Sequence, residues 1–199
     1  MAAFDDERYY ESQRFAVVVE SGTKFSAVEF EDCVFERCIF AACVSYRCTF
    51  VNCRFEGCDL SNAQLPNCRF TDVLFVESKL TGVDWTKCGE TNAARLPLSA
   101  GFEGCVLDYA SFSGLNLRNV RLVRCSAKGA DFSEADLRSA DFKGSDFAAA
   151  TFLHTNLERA DFTGARNYAI DLTANRVKGA RFSLPEALTL LSPFGVVIA

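Results

Sequence analysis

The stretch ADFSEADLRSADF, residues 130–142, repeats one pattern every five residues: a small residue, an aspartate, a large apolar residue and two mostly polar residues. The period continues in both directions. Large apolar side chains recur in steps of five from Phe25 to Trp85, and again from Phe102 to Phe182, with a phase shift of two residues between the two registers. Repeats of fixed period mark one structural unit stacked many times, so this pattern decides the fold.

The recurrence exceeds what composition provides. Phe and Leu together are 37 of 199 residues, so 30 arbitrary positions would hold about six of them. The two registers hold 25 Phe or Leu in 30 positions, and Ser45 is the only position of the first register without a large apolar side chain. A second phase, two residues earlier, holds small residues, mostly Cys in the first half and Ala in the second.

One large and one small apolar residue in every five fits neither an α-helix of 3.6 residues per turn nor a strand with alternating faces. The pattern requires a chain that turns inward at the same two phases of each repeat. Four such segments make a square coil with the large side chains inside. Neighbouring coils then stack at about the 4.8 Å spacing of β-strands, and each coil buries its apolar side against the next.

These repeats resemble the pentapeptide-repeat family consensus A-(D/N)-(L/F)-x-x over roughly residues 23–183. The resemblance implies an all-β fold, the right-handed quadrilateral parallel β-helix. We divide the chain into an irregular N-terminal cap (1–22), a first β-helical stack (23–88), a break (89–101), a second stack (102–183) and a C-terminal segment (184–199). The break contains Pro97, and it is either an insertion that bends the rod or a recognition loop.

The C-terminal segment changes character. Ser183 and Glu186 have capping-box spacing around Pro185, which predicts a short helix over 187–191 that ends at Ser192 and Pro193. An apolar strand follows. We expect the helix to cap the solenoid and the strand to pair in a two-fold homodimer or to fold back on its own chain. The predicted dimer interface is Pro193, Phe194, Val196, Val197 and Ile198.

The ten cysteines all occupy the small phase. Their C-x4-C spacing lacks the paired cysteines of a zinc site, and His154 is the only histidine, so we predict buried core thiols, no metal and no cofactor. No nucleophile elbow, P-loop or dinucleotide-binding motif occurs, which predicts a protein without catalytic residues. Five aspartates, at 131, 136, 141, 146 and 161, share one phase of the repeat. The five-residue recurrence sends successive ones to different sides of a square coil, so they are not expected to share one ion.

The charge is unevenly distributed. Residues 1–100 hold 15 acids and 10 bases, and residues 101–199 hold 11 of each. An acidic chain is a poor binder of nucleic acid, so a basic protein surface is the expected partner. Positions that are four repeats apart fall on the same side of the coil, which aligns acids on two adjacent faces. The predicted partner-binding residues are Glu31, Asp32, Glu36, Glu56, Asp72 and Glu77.

The chain also resembles one branch of the family, the Qnr and MfpA proteins with the immunity factors McbG and AlbG. The similarity lies in its size, its two registers, Asn-Tyr-Ala-Ile-Asp at 167–171 and Phe-Ser-Leu-Pro-Glu-Ala at 182–187. That resemblance implies a dimeric DNA mimic that binds DNA gyrase or topoisomerase IV and protects it from an inhibitor such as a quinolone or a peptide toxin. The alternative is a generic interaction scaffold with no topoisomerase role.

Two further expectations concern charge and location. Seven or eight coils span roughly 35–40 Å, and duplex DNA of that length carries on the order of 20–24 negative charges, whereas this chain carries −5. Mimicry therefore requires particular faces rather than total charge. The acidic N-terminus is unlike a secretory signal and no apolar run is long enough for a membrane span, so the expected location is the cytoplasm, away from membranes.

Overall fold

The structure, a computed structural model, describes residue 4, residues 8–89 and residues 98–196. The chain winds into a parallel β-solenoid of about eight turns, as the sequence predicts. Each turn has four sides of about five residues. Backbone hydrogen bonds run from one turn to the next, for example from Phe40 N to Asp59 O at 2.7 Å.

Two of the four faces carry most of the strands, and every pair is parallel. Face I consists of β1 (Tyr9–Glu11), β4 (Glu29–Glu31), β7 (Thr49–Val51) and β9 (Arg69–Thr71), continued by single bridges at 116, 136, 156 and 176. Face II consists of a single bridge at 141 and eight strands: β2 (Arg14–Ala16), β5 (Val34–Glu36), β8 (Arg54–Glu56), β10 (Val73–Val76), β11 (Ala100–Glu103), β12 (Leu122–Val123), β13 (Asp161–Phe162) and β14 (Arg181–Phe182).

The other two faces are built mainly from single bridges. Face III contains only bridges, at 19, 39, 59, 79, 106, 126, 146 and 166. Face IV contains β3 (Lys24–Ser26), β6 (Val44–Tyr46), bridges at 64, 84, 111, 131 and 151, and the 3₁₀ helix Trp85–Lys87. Their outward residues are spaced by the same coil repeat as those of Faces I and II.

The large apolar phase fills the interior as one column. Rings stack directly from turn to turn, with centroids 4.5 Å apart for Phe35 and Phe55 and 5.1 Å for Phe112 and Phe132. Rings of adjacent faces meet edge to face, the other arrangement that aromatic pairs favour. Full burial of each such side chain contributes roughly 1.5–3 kcal/mol. Ser45 lines a small apolar cavity of about 20 Å³ within this column.

The turns depend on a left-handed residue at each corner, two positions after the inward side chain. Asp32, Glu77, Arg124 and Arg159 all have φ between 47° and 61°, and most other corners are similar. This conformation costs a residue with a side chain about 1–2 kcal/mol. At corner 129 an added Cβ would also lie 2.8 Å from the Tyr109 ring, so the exposed Tyr109 side chain would have to move.

The break does not divide the solenoid on Face II. Phe55 lies beside Phe75, and Phe75 lies beside Phe102, so the second step along the chain is longer than the first by seven positions. Seven residues are therefore inserted in this turn, and six strands from β2 to β12 form one continuous sheet across it. The strand that resumes the solenoid begins at Ala100. Residues 90–97, which hold most of the predicted break, lie outside the described residues.

The N-terminal end is more regular than the irregular cap expected for residues 1–22. β1 pairs with β4 and β2 with β5, so residues 8–22 form a first turn like those that follow. The end of the column is filled by Phe4, which is 3% exposed. Its ring lies 5.2–6.2 Å from the rings of Tyr10, Phe15, Phe25, Phe30 and Phe40.

The C-terminal end differs from the predicted short helix and strand. A 3₁₀ helix runs over Glu186–Phe194 and includes Pro193, and no strand lies over residues 194–196. The predicted capping-box side chains act on the preceding turn instead. Ser183 Oγ accepts from Gly164 N at 2.8 Å, and Glu186 Oε1 accepts from Asn167 N. The segment therefore caps the last turns of the solenoid, but through contacts other than the predicted ones.

Candidate interaction surface

The six acidic residues predicted to bind a partner lie on one side of the solenoid. Glu31 ends β4 on Face I, and Glu36 and Glu56 lie one above the other on Face II. Asp32 and Asp72 occupy the corner between these faces, and Glu77 occupies the far corner of Face II. Faces I and II over residues 8–77 are called the N-terminal acidic surface.

Four of the six carboxylates are engaged within the chain. Glu36 pairs with Arg14 and Glu56 with Arg54. Glu31 accepts a hydrogen bond of 2.8 Å from Tyr9 Oη, which is the largest cause that raises the pKa of Tyr9 to about 12. Asp72 accepts one of 2.8 Å from Ser99 Oγ. Exposed ion pairs of this kind have low strength but neutralise charge locally.

Asp32 and Glu77 remain without an ion pair among the described residues. So do Glu11 and Glu29, which complete the N-terminal acidic surface. Glu11 lies beside Glu31 in the adjacent turn. Glu11 is not among the predicted contact residues, because residues 1–22 are assigned to a cap from the sequence. Its position one coil before Glu31 is the feature of the sequence that could have placed it on Face I.

The near-neutral second half separates its charges by side. On Faces I and II over residues 98–184, nine cations accompany five carboxylates. The cations are Arg118, Arg121, Arg124, Arg138, Lys143, Arg159, Arg176, Lys178 and Arg181. We call this the C-terminal basic surface. Its five carboxylates, Glu103, Asp136, Asp141, Glu158 and Asp161, all lie in ion pairs.

On the opposite side of the second half, acids predominate. Asp146 on Face III is the most buried of them, with a side chain 8% exposed. Burial raises its pKa, but the Asn167 amide at 2.8 Å, the Ala148 N–H, Arg166 and Lys128 together lower it below the ordinary value. The ionised form of Asp146 is therefore more stable in the folded chain than in the unfolded chain.

This arrangement predicts a pH-dependent effect of Asp146→Asn. Because the folded pKa is depressed, the stabilisation is complete above about pH 4–5 and is lost as pH falls through the folded value. We expect the substitution to lower the free energy of unfolding by about 1.5–3 kcal/mol at pH 7. The difference between the two proteins should shrink towards pH 2–3 in urea titrations. A difference that is constant over this range would contradict the role of the charge.

The cysteines are core residues, as predicted. All ten are free thiols; nine are buried, and Cys88 is partly buried. Many of the thiols donate to backbone carbonyls at the corners, as Cys53 Sγ does to Phe30 O and Val51 O, both at 3.3 Å. Burial raises the pKa of Cys53 to about 12, so this thiol is protonated at neutral pH. The buried hydroxyl of Ser145 in the same phase donates in the same way, to Leu122 O at 2.6 Å.

The other polar residues singled out in the sequence are dispersed over the solenoid. His154 is exposed at a corner. Asp131, Asp136, Asp141 and Asp146 bridge on four different faces, so these carboxylates do not converge. Within residues 8–89 and 98–196, no three His, Cys, Asp or Glu side chains form a group that could hold a metal ion. In the same part of the chain, none of the helices has the length and apolar character needed to cross a bilayer.

The repeat, the solenoid and its stacked core define the class of protein. A family model described as a pentapeptide repeat region matches residues 28–94 and 98–182, and the chain belongs to that family. No curated protein sequence matches the chain significantly.

Solved structures resemble it in fold. Full-length QnrB1, a plasmid-mediated fluoroquinolone resistance protein, superposes with a TM-score of 0.58 at 19% identity, covering 94% of this chain and 100% of that one. A trypsin-treated QnrB1 variant gives 0.51 at 22% identity, with 96% and 90% covered. HetL, a pentapeptide-repeat protein involved in heterocyst differentiation regulation in the cyanobacterium Nostoc, gives 0.55 at 15% identity, with 88% and 87% covered.

Proposed function

We propose that this chain is a non-catalytic, cytoplasmic protein that binds a type II topoisomerase, DNA gyrase or topoisomerase IV, and protects it from an inhibitor such as a quinolone or a peptide toxin. The observation that carries the proposal is the N-terminal acidic surface. The sequence resemblance to the Qnr and MfpA branch supports the choice of target. The likeness in fold to QnrB1, a fluoroquinolone resistance protein, supports the scaffold.

The mode of binding follows from charge and spacing. A protein site that binds duplex DNA presents Lys and Arg side chains to the phosphates. The solenoid offers such a site carboxylates in columns whose steps are about 4.8 Å, on an elongated body. Eight carboxylates accompany five arginines on the N-terminal acidic surface. The carboxylates are Glu11, Glu29, Glu31, Asp32, Glu36, Glu56, Asp72 and Glu77, and the arginines are Arg8, Arg14, Arg37, Arg54 and Arg69.

The contributions of the predicted contact residues should differ. Asp32 and Glu77 have no ion pair to break among the described residues, and both lie at corners of the coil. Glu36 and Glu56 must first exchange Arg14 and Arg54 for groups of the target. We therefore expect Asp32 and Glu77 to dominate binding, with Glu36 and Glu56 secondary.

The C-terminal segment supports a homodimer in this proposal. Phe194 and Val196 are each 51% exposed, although both are apolar, and Pro193 is exposed beside them. Val197 and Ile198, the remaining predicted interface residues, lie outside the described residues. Replacing Phe194 and Val196 together by Asp should halve the mass found by light scattering if this end joins two chains. An unchanged dimer mass would exclude this end as the interface.

The functional test is a gyrase supercoiling assay with and without a quinolone. We expect the native chain to restore supercoiling in the presence of the drug, or to inhibit gyrase in its absence. The double variant Asp32→Lys, Glu77→Lys should lose most of this effect. The matched control is Asp59→Lys with Glu134→Lys, which makes the same charge change away from the N-terminal acidic surface and should retain the effect.

The alternative, an interaction scaffold with a different partner, is favoured by one observation: the five arginines of the N-terminal acidic surface balance more than half of its eight carboxylates. If the chain neither inhibits gyrase nor rescues it from the drug at micromolar concentration, that result would support this alternative. Equal loss in the test variant and in the control would show that overall charge, rather than this surface, is responsible.

A further inference from the structure

The charge pattern along Face II and its two flanking corners is self-complementary. Face II has nine successive rungs, and the middle one is Gly101 in β11. Four rungs precede the middle on the N-terminal acidic surface, and four follow it on the C-terminal basic surface. The rungs, each represented by one outward position, are Arg14, Val34, Arg54, Leu74, Gly101, Arg121, Asp141, Asp161 and Arg181.

We propose that a second copy of this chain docks antiparallel on Face II and its flanking corners, related by a two-fold axis that crosses the middle rung. An axis that lies in the plane between two such faces, perpendicular to the rods, reverses the rung order and keeps each column opposite itself. Each rung of the first half then meets the mirrored rung of the second half. The first rung meets the ninth, the second meets the eighth, the third meets the seventh and the fourth meets the sixth.

Four of the groups left without an ion pair match under this operation, whereas Arg37, which also has none, meets Gly164. Among the described residues of the C-terminal basic surface, three cations make no ion pair: Arg124, Arg159 and Lys178. The first two lie at the corners of Face II. Glu77 shares the corner column of Arg124, and these residues stand on the fourth and sixth rungs. Asp32 shares the corner column of Arg159, on the second and eighth rungs.

Two pairs of apolar residues follow the same rule, whereas Val34 meets Asp161 and Leu74 meets Arg121. Val76 meets Val123 beside the middle rung. Val17, 60% exposed, and Leu184, 75% exposed, both lie two positions after the inward side chain of their rung, on the first and ninth rungs. Two of the most exposed apolar side chains of the described chain therefore face each other at the ends of the interface.

The third and seventh rungs add exchangeable pairs. Glu56 and Lys143 stand in one column of Face II, and Arg54 and Asp141 stand in another. Each of these two pairs meets across the interface. Because Glu56 pairs with Arg54 and Lys143 with Asp141 within the chain, the existing ion pairs can be shared between the two copies.

The operation also creates two like-charge encounters. Arg14 faces Arg181, and Glu103 on the middle rung faces its own copy. Each of these three residues already has an ion pair within its own chain. Arg14 pairs with Glu36, Arg181 pairs with Asp161, and Glu103 pairs with Arg121. In the dimer each favourable pair and the Arg14–Arg181 encounter occur twice, whereas the Glu103 encounter occurs once.

Association held mainly by exposed ion pairs should be modest and sensitive to salt. Such a pair of chains would cover Asp32 and Glu77, the residues proposed above to contact a topoisomerase, so the two interactions would exclude each other. The pairing does not depend on that function, because the test below contains only this protein. It is also separate from an apolar contact at the C-terminal end, which salt would not weaken.

Sedimentation velocity of the full-length chain at about 0.02 M and about 0.5 M salt tests this pairing, because the Debye length shrinks several-fold between them. We expect a doubling of mass at low salt that is lost at high salt. Asp32→Lys with Glu77→Lys, or Arg124→Glu with Arg159→Glu, should each raise the dissociation constant at least ~tenfold at low salt. Lys24→Glu with Lys79→Glu, on Face IV and Face III, is the control and should leave it unchanged.

An equimolar mixture of the two reversed variants decides the geometry. The two-fold operation sets the new lysines of one chain against the new glutamates of the other and leaves the second set of contacts native. The expected result is restored association in the mixture, with the weakened association described above in either variant alone. No salt-dependent step in the native chain, or a mixture that stays dissociated, would overturn the antiparallel pairing. Association of the native chain with an unrelated acidic protein but not with itself would do the same.

Discussion

Replacing Phe75 by Ala is expected to lower the free energy of unfolding by about 3–5 kcal/mol, the usual cost of removing a buried ring. Phe75 is fully buried in β10, with stacked rings on both sides: Phe55 at 4.8 Å and Phe102 at 5.3 Å between centroids. Trp85 packs against its edge at 5.7 Å. A cavity here interrupts the column at the turn where the chain inserts seven residues.

The matched control is Val76→Ala, the next residue in the same strand, whose side chain faces outward and is partly exposed. It should change stability by about 1 kcal/mol or less. Urea unfolding followed by circular dichroism measures both. Similar small effects for the two substitutions would mean that the Phe75 ring is not part of a continuous column, contrary to the packing described above.

Replacing Asn175 by Ala should have the second largest effect on stability, about 2–4 kcal/mol, because it leaves several buried backbone groups unpaired. Asn175 Oδ1 accepts from Thr155 N at 2.8 Å, and its Nδ2 donates to Phe152 O and Asp171 O, both at 2.9 Å. These contacts hold the last turn, where bridges are absent between residues 166 and 176 on the described chain.

Asn156→Ala provides the control in the same half. Asn156 faces outward on Face I, and its Oδ1 accepts only from Glu158 N, at 3.2 Å. We expect it to cost under about 1 kcal/mol. Thermal or urea unfolding of the two variants side by side distinguishes a buried network from a general asparagine effect. Equal losses would contradict the role given to Asn175.

The five-residue period was sufficient to predict the solenoid and the inward phase, because only a square coil turns both apolar phases towards one axis. It determines phase only modulo five. A slip of two residues is therefore indistinguishable from the seven-residue insertion that places Phe102 beside Phe75. The same limit applies at the last turn. Asn167 holds the expected phase there, but Tyr168 and Ile170 are buried instead.

The ends could not be derived from the repeat, because the five-residue pattern stops before it reaches them. Phe4 precedes the periodic region, and only its contacts identify it as the residue that closes the column. The capping-box spacing of Ser183 and Glu186 is local information, whereas the N–H groups that these side chains accept from, at 164 and 167, belong to the preceding turn. Local sequence cannot show which of two nearby unsatisfied groups a side chain will choose.

The sequence predicted which faces carry the carboxylates of the candidate surface, but not the ion pairs that these carboxylates form. The four-repeat spacing places Glu36 above Glu56 and predicts two adjacent faces, which the structure has. The pairing of these carboxylates with Arg14 and Arg54 depends on side-chain reach across one strand or one turn. The separation of charge in the second half was not predicted either. The equal totals of acids and bases there do not show that one side of the solenoid is basic and the other acidic.

The most direct test of the proposed function is equilibrium binding of fluorescently labelled chain to purified DNA gyrase, titrated with unlabelled duplex DNA. If the N-terminal acidic surface occupies a DNA-binding site, duplex should displace the chain completely, and Asp32→Lys with Glu77→Lys should weaken binding at least ~tenfold. Binding that persists unchanged under saturating duplex, or no binding at micromolar concentration, would contradict the proposal that this protein takes the place of DNA on a topoisomerase.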